Sequence, residues 1–414
     1  MKTEGISKGH KQPRPARALP PSWYRSSAMY ELERRAIFSN RWLLVSHKAR
    51  FVSPGDFVRI IEAGFSFFLI RDREGQIRAH HNVCRHRAYP LVEKDSGQLS
   101  TLACKYHGTL RMTILRGFRD FVNRPQGWSY GFDGRLAKAP KYQELSGFDQ
   151  SANNLFAIHV HVDKLGFIWV NLDSSSKPVI SWKDDFAGVD EQTRLQDFNL
   201  DNYHFDHQWE MEGDYNWKTL CYHCPTGHPA LNKLTDLSKY WVETTGGYIQ
   251  HFNVDKPEKE GMGICSTFYY PNASMTISSV SCRRNMRHEV FTKMEYEVYR
   301  HNDASDSDFN GIWDCFKQIL KEDKDLCNAV QVNLNAGIFL TGELHPRVEK
   351  GPVFFQTMTR KLVTGHSEQE GEAGKEIWLA TPQYNMTIKS QKEMDFCDGL
   401  ERAACLSGSP EFQW

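Results

Sequence analysis

The sequence predicts an α+β protein of two domains, on three observations. Residues 42–149 alternate short β-rich runs with Gly, Pro and Asp turns, the pattern of a small all-β domain. Beyond residue 195 longer helical patterns mix with strands, and Gly311 to Leu334 carries an apolar stripe at helical period. At 414 residues the chain is long enough to bury two cores.

Taken in order, residues 1–18 are polar, with five basic residues against one acidic, and read as a disordered tail; an organelle-targeting peptide is the alternative. Residues 19–41 form an N-terminal helical segment, in which Tyr30 to Phe38 is a short amphipathic helix. The β-rich domain then covers 42–150. Within it, Phe65 to Ile70 followed by Asp72-Arg73-Glu74-Gly75 is strand and turn. Residues 151–414 form the second domain, opening on a hairpin at 154–173. There Ile158, Val160 and Val162 alternate with His159 and His161, which read as the wet face of a strand rather than as ligands.

Lys+Arg and Asp+Glu balance at 51 each, so no global field favours nucleic acid or a membrane surface. The longest apolar run is Phe67-Phe68-Leu69-Ile70, far short of a bilayer span. Ten cysteines are too sparse for a disulfide scaffold in a chain of this length, and no apolar signal core opens it. The expectation is a soluble protein of a reducing compartment, cytoplasmic, with an organelle left open. No G-x-G-x-x-G follows a strand, so electrons for any redox reaction come from another protein.

Two motifs carry chemistry. Cys84-Arg85-His86 and Cys104-Lys105-Tyr106-His107 stand seventeen residues apart. Two thiolates and two imidazoles in paired loops fit a Rieske [2Fe–2S] centre, where two histidines replace two cysteines on one iron. A Cys₂His₂ zinc site is the alternative, but a single residue between Cys and His fits zinc fingers poorly. The second motif runs from Asn216-Trp217-Lys218 through Tyr222-His223-Cys224-Pro225-Thr226-Gly227-His228-Pro229. On a regular helix His223 and His228 would lie about 140° apart. Pro225 and Gly227 break that helix, letting His228 return toward His223. Two histidines with one carboxylate make the facial triad of non-haem Fe(II); a Cys221/Cys224 zinc or redox pair is the rival.

Helical bookkeeping supplies the carboxylate. The stripe contains Ile312, Phe316, Ile319, Leu320, Leu326, Cys327, Val330 and Leu334. Asp323 falls in its middle, whereas Asp325 points almost oppositely. A carboxylate on an apolar face needs a partner, and either a metal ion or a buried cation meets that need.

Asn82 to Arg87 and Cys104 to Gly108 resemble the Rieske domain of ring-hydroxylating oxygenases. The Tyr-His-Cys-Pro-Thr-Gly-His-Pro run, Glu322 to Cys327 and the Asn-Trp-Lys opening resemble the choline monooxygenase branch of that family, with carnitine and glycine-betaine oxygenases as relatives. The resemblance, from Leu19 to about Phe396, implies a helix-grip (START-like) catalytic domain after the Rieske domain. It implies Cys84, His86, Cys104 and His107 as cluster ligands, and His223, His228 and Asp323 as ligands of the catalytic iron. It further implies a homotrimer, a ferredoxin or reductase as electron donor, and no nucleic-acid or membrane partner. The reaction would be hydroxylation of choline by O₂ to betaine aldehyde hydrate, the first step of glycine betaine synthesis. Carnitine, glycine betaine or an aromatic ring are alternative substrates. From another class, a Rieske electron carrier is disfavoured by the long chain after the cluster domain. Recognition of a quaternary ammonium calls for aromatic faces, for which Tyr203, Phe205, Trp209, Tyr215, Tyr269 and Tyr270 are at hand.

Three segments depart from the family pattern. Thr109–Gln126 interrupts the second cluster loop and reads as a surface loop or a retained intron in a gene model. Several residues are missing between Asn-Trp-Lys and Tyr-His, including the Asp or Glu that links the Rieske histidine of one subunit to the iron of its neighbour; Leu220 stands there instead. Ser279–Thr292 loses strand alternation and reads as a third altered segment. An inactive variant from an imperfect gene model is therefore a further reading.

Overall fold

The computed structural model describes residues 14–107, 127–220, 232, 235–254, 263–288, 292–382, 392 and 396. The chain divides into a unit of residues 1–380 and a short unit of 381–414, and the architecture below is that of the first.

Strand β1 (Ala16–Arg17) opens the chain. Five strands follow, β2 (Leu43–His47), β3 (Asp56–Glu62), β4 (Phe65–Arg71), β5 (Ile77–His81) and β6 (Ser96–Gln98). Short strands β7 (Leu102–Ala103), β8 (Ser129–Tyr130) and β9 (Leu136–Lys138) come next, then β10 (Ala157–Val162) and β11 (Phe167–Asn171). They build a seven-stranded antiparallel sheet in the order β2-β11-β10-β5-β4-β3-β6, beside a three-stranded sheet β7-β8-β9. The hairpin β10–β11 pairs with both β5 and β2, so the first sheet runs past the boundary at residue 150 read from sequence. His161 is not on a wet face, since its ring lies 4.1 Å from that of Trp182.

The run Phe67–Ile70 is apolar throughout because both faces of β4 are covered. Phe67 and Leu69 enter the large core shared with the second sheet, while Phe68 and Ile70 enter the cluster that contains Cys84 and Cys104. One strand thus ties the cysteine loops to the main core.

The second sheet comprises β12 (Tyr203–Gly213), β13 (Trp241–Thr245), β14 (Tyr248–Phe252), β15 (Cys265–Tyr269), β16 (Ala273–Ile277), β17 (Ser281–His288) and β18 (Thr292–His301). Its antiparallel order is β12-β18-β17-β16-β15-β14-β13. The stretch Ser279–Thr292, read as altered, therefore contains a strand paired on both sides. Its alternation was hidden because Ser281 and Arg283 are buried polar side chains on one face, opposite buried Cys282 on the other. One face of this sheet, with Met275, Ile277, Cys282 and Tyr299, joins the core of the first sheet. The other, with Met294, Tyr296 and Val298, packs on the long helix Asp306–Ala336. Between the sheets the buried Glu297 carboxylate accepts hydrogen bonds from Ser46 Oγ at 3.0 Å, Tyr299 Oη at 2.7 Å and the Arg50 guanidinium.

The long helix starts where Ser305 Oγ accepts from the Asp308 amide, with Asp306 and Asp308 in its first turn, and ends at Gly337 with φ 75°. Its buried residues are Phe309, Ile312, Phe316, Ile319, Leu320, Cys327, Gln331 and Leu334. Leu326, expected in the stripe, is 48% exposed, since it lies one residue off the row that ends at Cys327. After β19 (Glu343–Leu344), which pairs with β1, a helix spans Lys350–Ala373. That pairing and the burial of Ala18 and Leu19 remove residues 16–18 from the disordered tail expected from sequence. No described helix is long and apolar enough to cross a membrane.

Two buried histidines make this fold acid-sensitive. Burial lowers His47 and His251 to a pKa of about 4. His47 Nδ1 accepts from the Ala49 amide at 3.2 Å, so Nε2 carries the proton toward Leu165 O, and a second proton would break the Ala49 bond. Between the unfolded value of 6.5 and about 4 the folded chain binds fewer protons than the unfolded chain, so stability falls as pH falls through that window. Each histidine contributes a slope of about 1.4 kcal/mol per pH unit. Urea titrations from pH 7 to 5 should show this loss, and His251→Gln should reduce the slope by one proton.

Candidate metal centres

The cysteine loops are built by short strand pairs. Cys104 follows β7, and its amide donates to Trp128 O at 2.8 Å, just before β8. The Cys84 loop closes on itself, with the Cys84 amide bonded to Tyr89 O and the Ala88 amide to Cys84 O, both at 2.9 Å, and Ala88 at φ 56°. Cys84 and Cys104 are both buried, in one apolar cluster with Leu102, Trp128 and Tyr130. Burial, and then the adjacent Cys84 thiol, push the Cys104 thiol up to about 11, against the pull of the Tyr106 amide. Two neighbouring cysteine sulfurs in an apolar setting suit a soft metal, and Cys104 would release its proton on loading.

His86 stands at the rim. Its Nε2 lies 2.8 Å from Tyr142 Oη, and its ring stacks on Trp128 at 5.1 Å and 12°. Tyr142 and Trp128 thus set the orientation of the His86 ring. Tyr130 Oη lies 3.4 Å from Cys84 Sγ and accepts from the Arg85 amide at 3.1 Å. These tyrosines were missed in the sequence, although Trp128-Ser129-Tyr130 marks where the interrupted motif resumes. The backbone of His107 ends the turn Lys105–His107; its side chain and the segment Thr109–Gln126 lie outside the described residues.

His223 and His228, with Cys221 and Cys224, also lie outside the described residues, but the approach to them is defined. The Asn216 amide donates to Gln331 Oε1 of the long helix at 3.0 Å, and Thr219 Oγ1 closes a turn onto Asn216 O at 2.7 Å. Lys218 Nζ lies 2.8 Å from Glu33 Oε1, both side chains wholly buried, and Trp217 Nε1 donates to Glu33 Oε2 at 2.8 Å. Burial raises the Glu33 carboxyl and lowers the Lys218 ammonium, each held back by the other's charge. Leu220 then packs with Tyr215, Met294, Tyr296, Leu320 and Cys327. The last two residues flank Asp323 on the long helix.

Asp323 is partly buried on this face, whereas Asp325 is exposed and bonded to Lys321 at 2.6 Å. Asp323 is thus less exposed than Asp325, as are its neighbours Glu322 and Lys324. Among the described residues no three His, Cys, Asp or Glu side chains gather as a metal site. Each proposed set includes a histidine side chain that is not described. Of the six aromatics at hand, Trp209 and Tyr215 belong to clusters facing the long helix. Phe205, Tyr269 and Tyr270 lie in or against the core of the first sheet, as does Tyr203, which donates to Ser278 O at 2.7 Å.

The Glu33–Lys218 pair fixes the start of the second motif. Glu33→Ala leaves a buried ammonium without its partner and should cost about 3–5 kcal/mol, read by urea denaturation. Glu33→Gln, which keeps the Trp217 bond, should cost less.

Residues 41–110 match the Rieske [2Fe-2S] domain. The carnitine monooxygenase oxygenase subunit of Acinetobacter baumannii is 24% identical over 77% of this chain and 85% of its own length. The chloroplastic choline monooxygenase of Beta vulgaris is 26% identical over 82% of this chain and 75% of its own. A quaternary ammonium Rieske monooxygenase of known structure superposes with a TM-score of 0.71 at 22% identity, covering 84% of this chain and 96% of that one. The paired cysteine loops, the long helix under an antiparallel sheet and these likenesses agree: the chain carries a Rieske [2Fe–2S] domain and is similar to the Rieske non-haem iron oxygenases, whose cofactors are a [2Fe–2S] cluster and a mononuclear iron.

Proposed function

We propose that this chain is the oxygenase component of a monooxygenase that oxidises a small quaternary ammonium compound with O₂, taking electrons from a ferredoxin or reductase. Cys84, His86, Cys104 and His107 would hold the [2Fe–2S] cluster, and His223, His228 and Asp323 the mononuclear Fe(II). The observation that carries this reading is the pair of cysteine loops, with Cys84 and Cys104 buried in one apolar cluster and His86 held beside them by Tyr142 and Trp128. A homotrimer is the assembly that the family resemblance supports.

The bound iron centres would supply electron transfer and oxygen activation. The chain's own groups orient and tune them. Tyr142 and Trp128 fix the His86 ring, and Tyr130 offers a hydrogen bond to the Cys84 sulfur. A donor at that sulfur favours the reduced, more negative cluster. Tyr130→Phe should therefore lower the cluster potential by about 60 mV for a loss of about 1.4 kcal/mol, measured by redox titration.

Two readings of the substrate's other end follow. An alcohol makes the reaction choline hydroxylation to betaine aldehyde hydrate, as the sequence motifs suggest. A carboxylate makes the substrate a carnitine or glycine betaine type, which the buried Arg283 favours. Calorimetric binding of choline, carnitine and glycine betaine to the iron-loaded protein separates them. The metal assignment is tested by iron and acid-labile sulfide in purified protein. Cys84→Ser should abolish the cluster's visible spectrum and leave the mononuclear iron; zinc without sulfide would overturn it.

A further inference from the structure

Arg283 sits on β17, between Thr276 of β16 and Val298 of β18 in register. Its side chain faces the long helix, with the guanidinium carbon 3.7 Å from the centroid of the Phe316 ring. The residue is 6% exposed, and Nε and Nη1 are buried without a hydrogen-bond partner. Phe316 and Asp323 are seven residues apart, two turns on one face of the helix, so Arg283 lies over the face that bears Asp323, about 10 Å from it along the axis. Burial lowers the Arg283 pKa to about 10, with Asp323 among the groups that hold it up, so the guanidinium stays charged at neutral pH.

A buried cation with open donors is costly, and stacking on Phe316 offsets only part of that cost. A planar carboxylate is the ligand that best satisfies such a fork of donors. We infer that Arg283 is a specificity-determining residue that binds a carboxylate on the substrate, in the space between the second sheet and the long helix. Within the proposed function this makes the substrate a zwitterion.

The inference rests on the quaternary ammonium reading only for the ammonium end, and four probes separate the two. Glycine betaine and choline differ in carboxylate against alcohol; 3,3-dimethylbutanoate and 3,3-dimethylbutanol repeat that difference without the positive charge. By calorimetric titration of the iron-loaded protein, each carboxylate should bind at least about tenfold more tightly than its alcohol. Arg283→Gln should collapse that ratio toward one with at most a modest fall in melting temperature, because Nε and Nη1 have no hydrogen bond to lose and the fold loses only the stack on Phe316. Equal binding of acids and alcohols, a preference that survives Arg283→Gln, or a large fall in melting temperature would each overturn the inference. If the acids win but neither ammonium probe outbinds its neutral counterpart, the carboxylate site stands and the quaternary ammonium reading fails.

Discussion

Asp323→Ala should leave purified protein without mononuclear iron, while the [2Fe–2S] spectrum persists. Changes to groups that merely support a ligand cost about 10- to 100-fold in metal affinity, so removal of the ligand itself should cost more. Asp325→Ala is the internal control. Its carboxylate pairs with Lys321, with side chains 58% and 74% exposed, a contact worth about 0.3–0.5 kcal/mol at most. The contrast depends on helix geometry: Asp323 lies between Leu320 and Cys327, which pack on Leu220 at the entrance to the histidine loop. Iron retention by Asp323→Ala with loss in Asp325→Ala would sink the assignment. Retention of iron by both variants would leave a different carboxylate as the third ligand.

Much of this was legible in the sequence where chemistry fixes spacing. The Cys84–His86 and Cys104–His107 loops were readable because two thiols and two imidazoles in paired short loops match few metal sites. The helix around Asp323 was readable because its period sets Ile319, Leu320 and Cys327 on one buried row. Features set by long-range pairing were not legible. The β10–β11 hairpin follows the apparent domain boundary yet completes the first sheet, and period-two alternation does not say which sheet a strand joins. β1 is two polar-flanked residues whose partner lies more than three hundred positions away. β17 broke the alternation rule because Arg283 is buried, and a local rule broken at such a place is expected at functional sites. Glu33 and Lys218 gave no signal either, since a pairing between the N-terminal helix and the second motif needs the folded chain.

The chain as written should reduce its cluster but fail to pass electrons to the mononuclear site, with turnover near background. The family resemblance leads one to expect a carboxylate three residues before the first iron-ligand histidine, linking the two centres across subunits. Leu220 occupies that position and is buried in a cluster with Tyr215, Tyr296 and Leu320. Leu220 is therefore held in the core of its own chain, and substitution alone does not repair the path. Leu220→Glu would place a carboxylate among apolar side chains at a cost of several kcal/mol, lowering the melting temperature without restoring activity. Repair requires added length. Deleting Thr109–Gln126 and inserting a short acid-containing segment between Leu220 and Cys221 should restore reoxidation of the reduced cluster by substrate and O₂. Single-turnover measurements on the two proteins, chemically reduced in advance, read this step apart from reductase binding. Rapid cluster reoxidation in the unmodified chain would show that another group links the metals and that Leu220 is a neutral replacement.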